Sequence, residues 1–175
     1  MFDRGLLIGR FQPFHNGHMS IVKHILGECR EIIIGIGSAQ TSHTKDNPFT
    51  AGERHLMISE AMKEAGYDNY FLVPIEDLHR HAIWVAHVKS LVPPFDVYYT
   101  NNPLDRRLFE EAGCLVRSTL MLSREEYSGT HIRHQMATGG NWKENVPSAV
   151  ARVMEKIDGV GRMIALVATD EFIRG

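Results

Sequence analysis

The chain has 175 residues, of which 43% are hydrophobic, and it carries a formal net charge of −2. Such a hydrophobic content is typical of a folded globular domain and argues against disorder. No apolar run approaches the roughly 18 residues that a membrane helix needs, and the near-neutral charge argues against broad nucleic-acid binding, which requires a basic surface. The segment Met1-Phe2-Asp3-Arg4 lacks the basic and apolar regions of a signal peptide. The sequence therefore predicts a cytoplasmic protein that has neither a membrane nor a nucleic acid as its partner.

Apolar runs that are typical of strands alternate with helical patterns along the chain. Strands are predicted at residues 6–8, 32–36, 70–73, 95–99 and 115–120. Helices are predicted at residues 17–29, 50–65, 83–91, 103–112, 130–137, 147–157 and 162–169. The second strand is apolar throughout, which indicates burial on both faces. Thr50 and Glu53 have the spacing of a capping box, and the two cysteines, Cys29 and Cys114, are predicted to be free thiols.

This alternation of strands and helices implies parallel strand pairing with right-handed crossovers. We therefore predict a single domain over residues 1–175 with a doubly wound, Rossmann-like α/β fold. Its five-stranded parallel sheet has helices on both faces, and a small helical region begins at about residue 141. Ligands bind such sheets beyond the carboxyl ends of the strands, where the loops at residues 9–16, 37–48 and 100–103 are expected to meet.

The first of these loops carries the sequence Gly-Arg-Phe-Gln-Pro-Phe-His-Asn-Gly-His, which includes Arg10, His15 and His18. It lies between a strand and a helix, and the N-terminus of a helix offers unpaired N–H groups and a partial positive charge to phosphate. Gly17 between the histidines permits close approach of the backbone to a ligand, and Arg10 can clamp phosphate with two N–H groups. The alternative is a pair of ordinary histidines, since the chain has 10 to draw from.

A second stretch, Tyr-Ser-Gly-Thr-His-Ile-Arg, spans residues 127–133. Ser128 or Thr130 can cap the helix that follows, and the N–H groups at the same helix end can bind an anion. Arg133, about one turn into the helix, can reach the β- and γ-phosphates of a nucleotide.

The two stretches together resemble the first and second motifs of the HxGH nucleotidylyltransferase superfamily, in which His15, Gly17 and His18 match the first motif. The segments Gly-Ile-Gly-Ser-Ala-Gln at 35–40 and Asn-Pro-Phe-Thr-Ala-Gly-Glu-Arg at 47–54, together with Trp84, are similar to those of the archaeal-type nicotinamide-nucleotide adenylyltransferases. The resemblance runs from about residue 5 to residue 166. It implies transfer of AMP from ATP to nicotinamide mononucleotide (NMN), which gives NAD and pyrophosphate, with Mg²⁺ accompanying ATP and with a homo-oligomeric protein.

The resemblance also assigns roles to residues, with positioning and charge stabilisation as the work of the protein. The catalytic set comprises Arg10, His15, His18 and Arg133. The nucleotide-binding set comprises Gly9, Arg10, Phe11, His15, Gly17, His18, Asn102, Tyr127, Ser128, Gly129, Thr130 and Arg133. The set for NMN comprises Gly37, Ser38, Lys45, Asp77 and Trp84, where Trp84 stacks on the nicotinamide ring, and no protein-bound metal is expected.

Several alternatives stay open at the level of sequence. Trp84 could be a core residue, and Asp77 with His79, His81 and His87 could suggest a metal site, although a complete ligand set is lacking. The acceptor could be phosphopantetheine or a flavin nucleotide, or the chain could be a nucleotide sensor without activity. The family pattern differs here at Asn16, Asn101 and Gly129, and the sequence does not decide between the nicotinamide and nicotinate forms of the acceptor.

Overall fold

A computed structural model describes residues 1–119 and 127–174 of the chain. The strands are β1 (Phe2–Gly9), β2 (Cys29–Ile36), β3 (Tyr70–Pro74), β4 (Val97–Tyr99) and β5 (Leu115–Arg117). The α-helices are α1 (Asn16–Glu28), α2 (Ala51–Glu64), α3 (Trp84–Leu91), α4 (Pro103–Glu111), α5 (Gly129–Thr138), α6 (Ser148–Lys156) and α7 (Gly159–Arg174). Short 3₁₀ turns lie at His81–Ile83 and Trp142–Asn145.

All strand pairs are parallel, and the strand order is β3-β2-β1-β4-β5. The chain leaves β1 towards β2 on one side and returns to β4 on the other side, so the switch point of this doubly wound sheet lies between β1 and β4. The predicted fold class, with five parallel strands and helices on both faces, is confirmed.

The alternation of side chains along the strands divides the core between the two faces of the sheet. Leu7, Ile32 and Ile34 belong to a cluster that also contains buried residues of α1, α2, α5, α6 and α7. Leu6 and Ile33 belong to a second cluster with buried residues of α3 and α4. The run of isoleucines in β2 is therefore buried on both faces, as its sequence predicts.

Several predicted boundaries are corrected by the structure. β1 extends back to Phe2 because residues 2–5 pair with β2, and β4 begins at Val97. β5 ends at Arg117 within the predicted 115–120, of which residue 120 lies outside the described residues. α7 is twice as long as the predicted 162–169; it begins at Gly159, which packs closely against Met154 and Phe49, and it continues to Arg174.

Both cysteines are free thiols. Over residues 1–119 and 127–174, no helix is long and apolar enough to cross a membrane.

Candidate active site

A cavity of about 420 Å³ opens at the carboxyl edge of the sheet, where β1, β2 and β4 end. Seven residues that the sequence assigns to the site line it: Gly9, Arg10, Gly37, Ser38, Asp77, Trp84 and Asn102. The cavity therefore lies at the switch point, as expected for a doubly wound sheet. Its wall also contains residues that no motif predicted, namely Leu104 and Asp105 at the start of α4 and the segment 79–81 before α3.

His15 and His18 do not line this cavity; they begin α1 and belong to a second group of residues that adjoins it through Arg10. The two imidazole rings stack, with centroids 3.6 Å apart and planes inclined by 21°. His15 is the N-cap: its Nδ1 accepts from the His18 backbone N–H at 3.3 Å, and His18 Nδ1 accepts from the His15 backbone N–H at 3.2 Å. The pair thus forms a capping box made of histidines instead of the usual hydroxyl and carboxylate.

These two hydrogen bonds fix the tautomer of each ring. A nitrogen that accepts from a backbone N–H carries no proton, so each neutral imidazole carries its proton on Nε2. Burial lowers the pKa of His15 to about 4, and burial together with the nearby His15 lowers the pKa of His18 well below its usual value. At neutral pH both rings are therefore uncharged, and each Nε2–H is a donor that the cap does not use.

The lowered pKa values predict that stability depends on pH. Between pH 6.5 and about 4 the unfolded His15 is protonated and the folded one is not, so the unfolded state holds more protons and the free energy of unfolding falls as pH falls through this range. From His15 alone we expect a loss of up to about 3 kcal/mol. Urea unfolding between pH 7.5 and 4.5 measures it, and His15→Asn should show a shallower dependence. Equal slopes for the two proteins would contradict the prediction.

The N-terminus of α5 forms the other side of this group. Ser128 caps the helix by accepting from the His131 backbone N–H at 3.1 Å, which confirms one of the two predicted caps. Arg133 is only 6% exposed; it donates to the Gln12 carbonyl at 2.8 Å and to Thr130 Oγ1 at 3.3 Å. The second motif is therefore joined directly to the loop that carries the first.

Two glycines permit this close contact between the motifs. A Cβ on Gly17 would lie 2.8 Å from Cβ of Tyr127, and a Cβ on Gly129 would lie 2.8 Å from Nη1 of Arg133 and 3.1 Å from the Gln12 carbonyl oxygen. The two distances of 2.8 Å are shorter than real Cβ atoms show, and the distance of 3.1 Å is tight. Gly129, where the family pattern has Ser or Thr, therefore leaves room for the Arg133 guanidinium.

Arg10 and Arg133 bring two guanidinium groups to the junction between the cavity and the histidines. Burial lowers the pKa of Arg133, and the charge of Arg10 lowers it further. The loop before α2 supplies oxygen atoms to both: Asn47 Oδ1 accepts from Arg10 at 3.4 Å, and Asp46 lies 3.8 Å from Arg133. Two cations that repel each other and face acceptor oxygens are suited to an anion with several phosphates.

Arg54 ends the 47–54 segment but has no role assigned to it from the sequence; it is fully buried and holds the loops of the site together. Its guanidinium donates to the backbone carbonyls of Arg10 at 2.8 Å, Gly37 at 2.7 Å and Ser38 at 3.0 Å, and Nε donates to Thr50 at 3.2 Å. Burial lowers its pKa to about 10, so it stays charged at neutral pH. The loops it joins include Phe11 and Ser38, which adopt positive φ angles of 52° and 47° that side-chain-bearing residues rarely hold without support.

Gln12 is a second missed residue, only 3% exposed. Its side chain donates to the Phe49 carbonyl at 3.0 Å and accepts from the Phe49 N–H at 2.9 Å, so it joins the first loop to the segment that begins α2. A glutamine between Phe11 and Pro13 gives no sequence signal for such a role, because its partner lies 37 residues away.

Trp84 begins α3, is half-buried, packs against the second core cluster and lines the cavity. Trp84 is therefore partly a core residue and partly a residue of the cavity, as the two interpretations of the sequence suggest. Asp77, on the same wall, accepts from Ser38 Oγ at 2.6 Å. Lys45 is not part of the cavity lining; its Nζ lies 3.7 Å from Asp170 in α7, and its predicted contact with NMN stays a prediction.

The remaining departures from the family pattern have structural roles. Asn16 donates to the Glu144 carbonyl at 3.0 Å, and Asn101 pairs with Thr119 beyond β5 through its side-chain oxygen and nitrogen. Asn102 caps α4.

Within the described part of the chain, no group of three or more His, Cys, Asp or Glu side chains could hold a metal ion, so the histidines at 79, 81 and 87 do not gather around Asp77.

Comparison with known proteins adds sequence and fold relatives. The family model described as cytidylyltransferase-like matches residues 6–135. Proteins named nicotinamide-nucleotide adenylyltransferase are 60% identical in Picrophilus torridus, over 96% of this chain and 99% of that protein, and 58% identical in Thermoplasma volcanium, over 96% and 94%. In Methanolobus tindarius the identity is 52%, over 98% of both chains.

Solved structures share the fold. A bifunctional NMN adenylyltransferase/ADP ribose pyrophosphatase from Francisella tularensis, complexed with AMP and a manganese ion, matches with a TM-score of 0.78 at 22% identity. The match covers 99% of this chain and 54% of that one, so this chain spans about half the length of the bifunctional protein. From the family match and the archaeal relatives together, the chain belongs to the cytidylyltransferase-like family and, within it, to the nicotinamide-nucleotide adenylyltransferases of the archaeal type.

Proposed function

We propose that residues 1–175 act as one nucleotidyltransferase domain that transfers AMP from ATP to NMN, producing NAD and pyrophosphate. The observation that carries this proposal is the junction of two groups of residues at one sheet edge. One group, with His15, His18 and Arg133 at two helix N-termini, suits a chain of phosphates. The other is a cavity with Trp84 on its wall, which suits a flat base and its ribose. Arg10 belongs to both groups, so it lies where the two substrates would react.

The chemistry asks for positioning and charge stabilisation. The 5′-phosphate of NMN attacks the α-phosphorus of ATP, and the bond from that phosphorus to the β-phosphate oxygen breaks as pyrophosphate leaves. The attacking phosphate is already ionised near neutral pH, so no general base is required. Negative charge increases on the oxygens around the α-phosphorus and on pyrophosphate. The neutral Nε2–H groups of His15 and His18 can donate to the former and the two arginines can bind the latter.

We propose Mg²⁺ as the ion that accompanies ATP. The described residues contain no cluster of ligands for it, which suits an ion that keeps several waters and is bound chiefly by substrate phosphates. When bound, the ion would offset charge on the triphosphate. The protein side chains that face the same phosphates are Arg10 and Arg133.

Trp84 provides a test of the acceptor half of the site. We expect Trp84→Ala to raise KM for NMN about tenfold and to leave KM for ATP nearly unchanged, since ring stacking contributes about 0.5–1.5 kcal/mol beyond the lost contact area. Trp84→Phe retains an aromatic face and serves as the matched control, with a smaller effect. Steady-state kinetics with each substrate varied in turn gives both constants. A large loss of melting temperature with no selective change in KM would favour the core interpretation.

The proposed reaction is tested with the purified protein, ATP, Mg²⁺ and a panel of acceptors. We expect pyrophosphate and NAD to appear with NMN, and removal of divalent ions by EDTA to abolish nearly all turnover. Phosphopantetheine and flavin mononucleotide are the competing acceptors, and pyrophosphate release with one of these but not with NMN would overturn the proposal. Pyrophosphate-dependent formation of ATP from NAD distinguishes an enzyme from a nucleotide sensor, which would bind both ligands without exchange.

The setting of the enzyme follows from these substrates. We place it in the cytoplasm, where ATP and NMN are available, with small-molecule ligands and no nucleic acid as its partners. The homo-oligomer that the family resemblance implies stays a prediction. Sedimentation at equilibrium would give the number of subunits.

A further inference from the structure

Of the two carboxylates in the cavity wall, Asp77 and Asp105, only Asp105 has no role assigned to it from the sequence. Asp105 lies in the first turn of α4, lines the cavity together with Trp84 and Leu104, and is half-buried. Its backbone N–H donates to Asn102 Oδ1 at 3.1 Å, and its Oδ2 accepts a long hydrogen bond of 3.4 Å from the Tyr98 hydroxyl. Because Tyr98 is only 1% exposed, it holds the carboxylate against the wall from the core side.

Among the described residues, the charge of Asp105 has no strong counter-ion. Over residues 1–119 and 127–174, no lysine or arginine forms a salt bridge with it, and its Oδ1 accepts no hydrogen bond there. Burial raises the pKa of Asp105 overall, and the Tyr98 hydroxyl and the nearby His81 offset this rise only in part. The helix N-terminus also favours the ionised form. The cavity lining therefore contains a carboxylate together with the indole of Trp84.

The two natural forms of a pyridine mononucleotide differ only at one substituent of the ring, which a carboxylate in the cavity wall could contact. Both have a cationic ring and a ribose phosphate. Nicotinamide bears a neutral carboxamide with two N–H donors, whereas nicotinate bears a carboxylate that can only accept. A carboxylate in the wall accepts from the amide but repels the acid, and a site built for a donor rejects the analogue that lacks it.

We propose that Asp105 determines the choice between these forms and makes the enzyme prefer NMN to nicotinate mononucleotide. Asp77 on the same wall adds a second negative charge, although Ser38 already donates to it. The two arginines of the wall offset this negative charge little. Arg10 is at the phosphate junction with Asn47, and the charge of the exposed Arg80 is screened by solvent. The inference rests on the proposed reaction and names the residue that selects its acceptor.

The test is Asp105→Asn, which keeps the shape and removes the charge. The measured quantity is kcat/KM for NMN divided by kcat/KM for nicotinate mononucleotide, and we expect this ratio to fall about tenfold or more, chiefly through better use of nicotinate mononucleotide. Binding of each mononucleotide without ATP, followed by calorimetry, should change in the same direction. Asp68→Asn, an exposed residue of the loop before β3, is the matched control and should leave the ratio unchanged.

Tyr98→Phe separates charge from structure, because it removes the hydroxyl that holds Asp105 but keeps the carboxylate. A ratio that stays near wild type in this variant supports selection by charge. Two results would overturn the inference: an equal fall of the ratio in Tyr98→Phe and Asp105→Asn, or a ratio that does not change in Asp105→Asn. If wild type still uses NMN, either result leaves the proposed function standing. Wild type that makes no dinucleotide from either mononucleotide overturns both.

Discussion

We expect His15→Asn and His18→Asn each to lower kcat about 10²–10³-fold while the melting temperature stays close to that of wild type. In both residues Nδ1 caps the backbone and Nε2–H is the group left for the substrate. Asparagine places an oxygen near the position of Nδ1 and is itself a preferred N-cap, but it cannot reach the position of Nε2. Losing one preorganised donor to a developing anion costs about 2.7–4 kcal/mol of activation free energy.

The choice of asparagine removes an ambiguity that alanine would introduce. Alanine would also remove the cap, which costs about 0.5–2 kcal/mol of stability, so a loss of activity could reflect a frayed α1. His134→Asn, on the exposed face of α5, is the control for the substitution itself. KM for ATP should change little, because the donors act mainly on charge that forms in the transition state. A folded His18→Asn protein with kcat near wild type would refute the assignment of Nε2 as the donor.

The parts of the site that could be predicted are those that local sequence determines. His15, His18 and Ser128 lie where a strand or loop meets a helix, and the chemistry of a helix N-terminus is decided by the few residues at that end. The capping box of Thr50 and Glu53 is local in the same way and is confirmed. For these positions the residue type, the helix start and the capability to bind phosphate follow from a single short stretch.

The missed residues depend on contacts that are distant along the chain. Arg54 follows Glu53 in an amphipathic helix, where arginine is usually a solvated surface residue. It is buried only because loops from β1 and β2 close over it. Asp105 likewise enters the cavity wall only once β4 is paired between β1 and β5. The partners of Lys45 and Asp46, which are Asp170 and Arg133, are likewise distant along the chain.

The burial of Arg54 leads to the largest effect that we expect on stability. We expect Arg54→Ala to lower the free energy of unfolding by about 4 kcal/mol, since four backbone carbonyls lose their donor at about 1 kcal/mol each. The cavity left by a fully buried side chain adds to the loss, whereas removing a desolvated charge offsets part of it. For a domain of this size the melting temperature should fall by about 10 °C.

Activity should fall along with stability in the Arg54 variants, but for a different reason. Arg54 touches no substrate; it positions the loops that carry Arg10 and Ser38, so its loss should lower kcat and raise KM for both substrates even at temperatures where the protein is folded. Arg54→Met preserves most of the volume and isolates the lost hydrogen bonds, and Arg54→Lys retains the charge with fewer donors and should be intermediate. Arg107→Met, an exposed residue of α4, is the control and should change the unfolding free energy by less than about 0.5 kcal/mol. An Arg54→Met protein with the denaturant midpoint and kcat of wild type would contradict this prediction. The hydrogen bonds from the guanidinium to the loop carbonyls would then not be required, and packing alone would hold the strained conformations of Phe11 and Ser38.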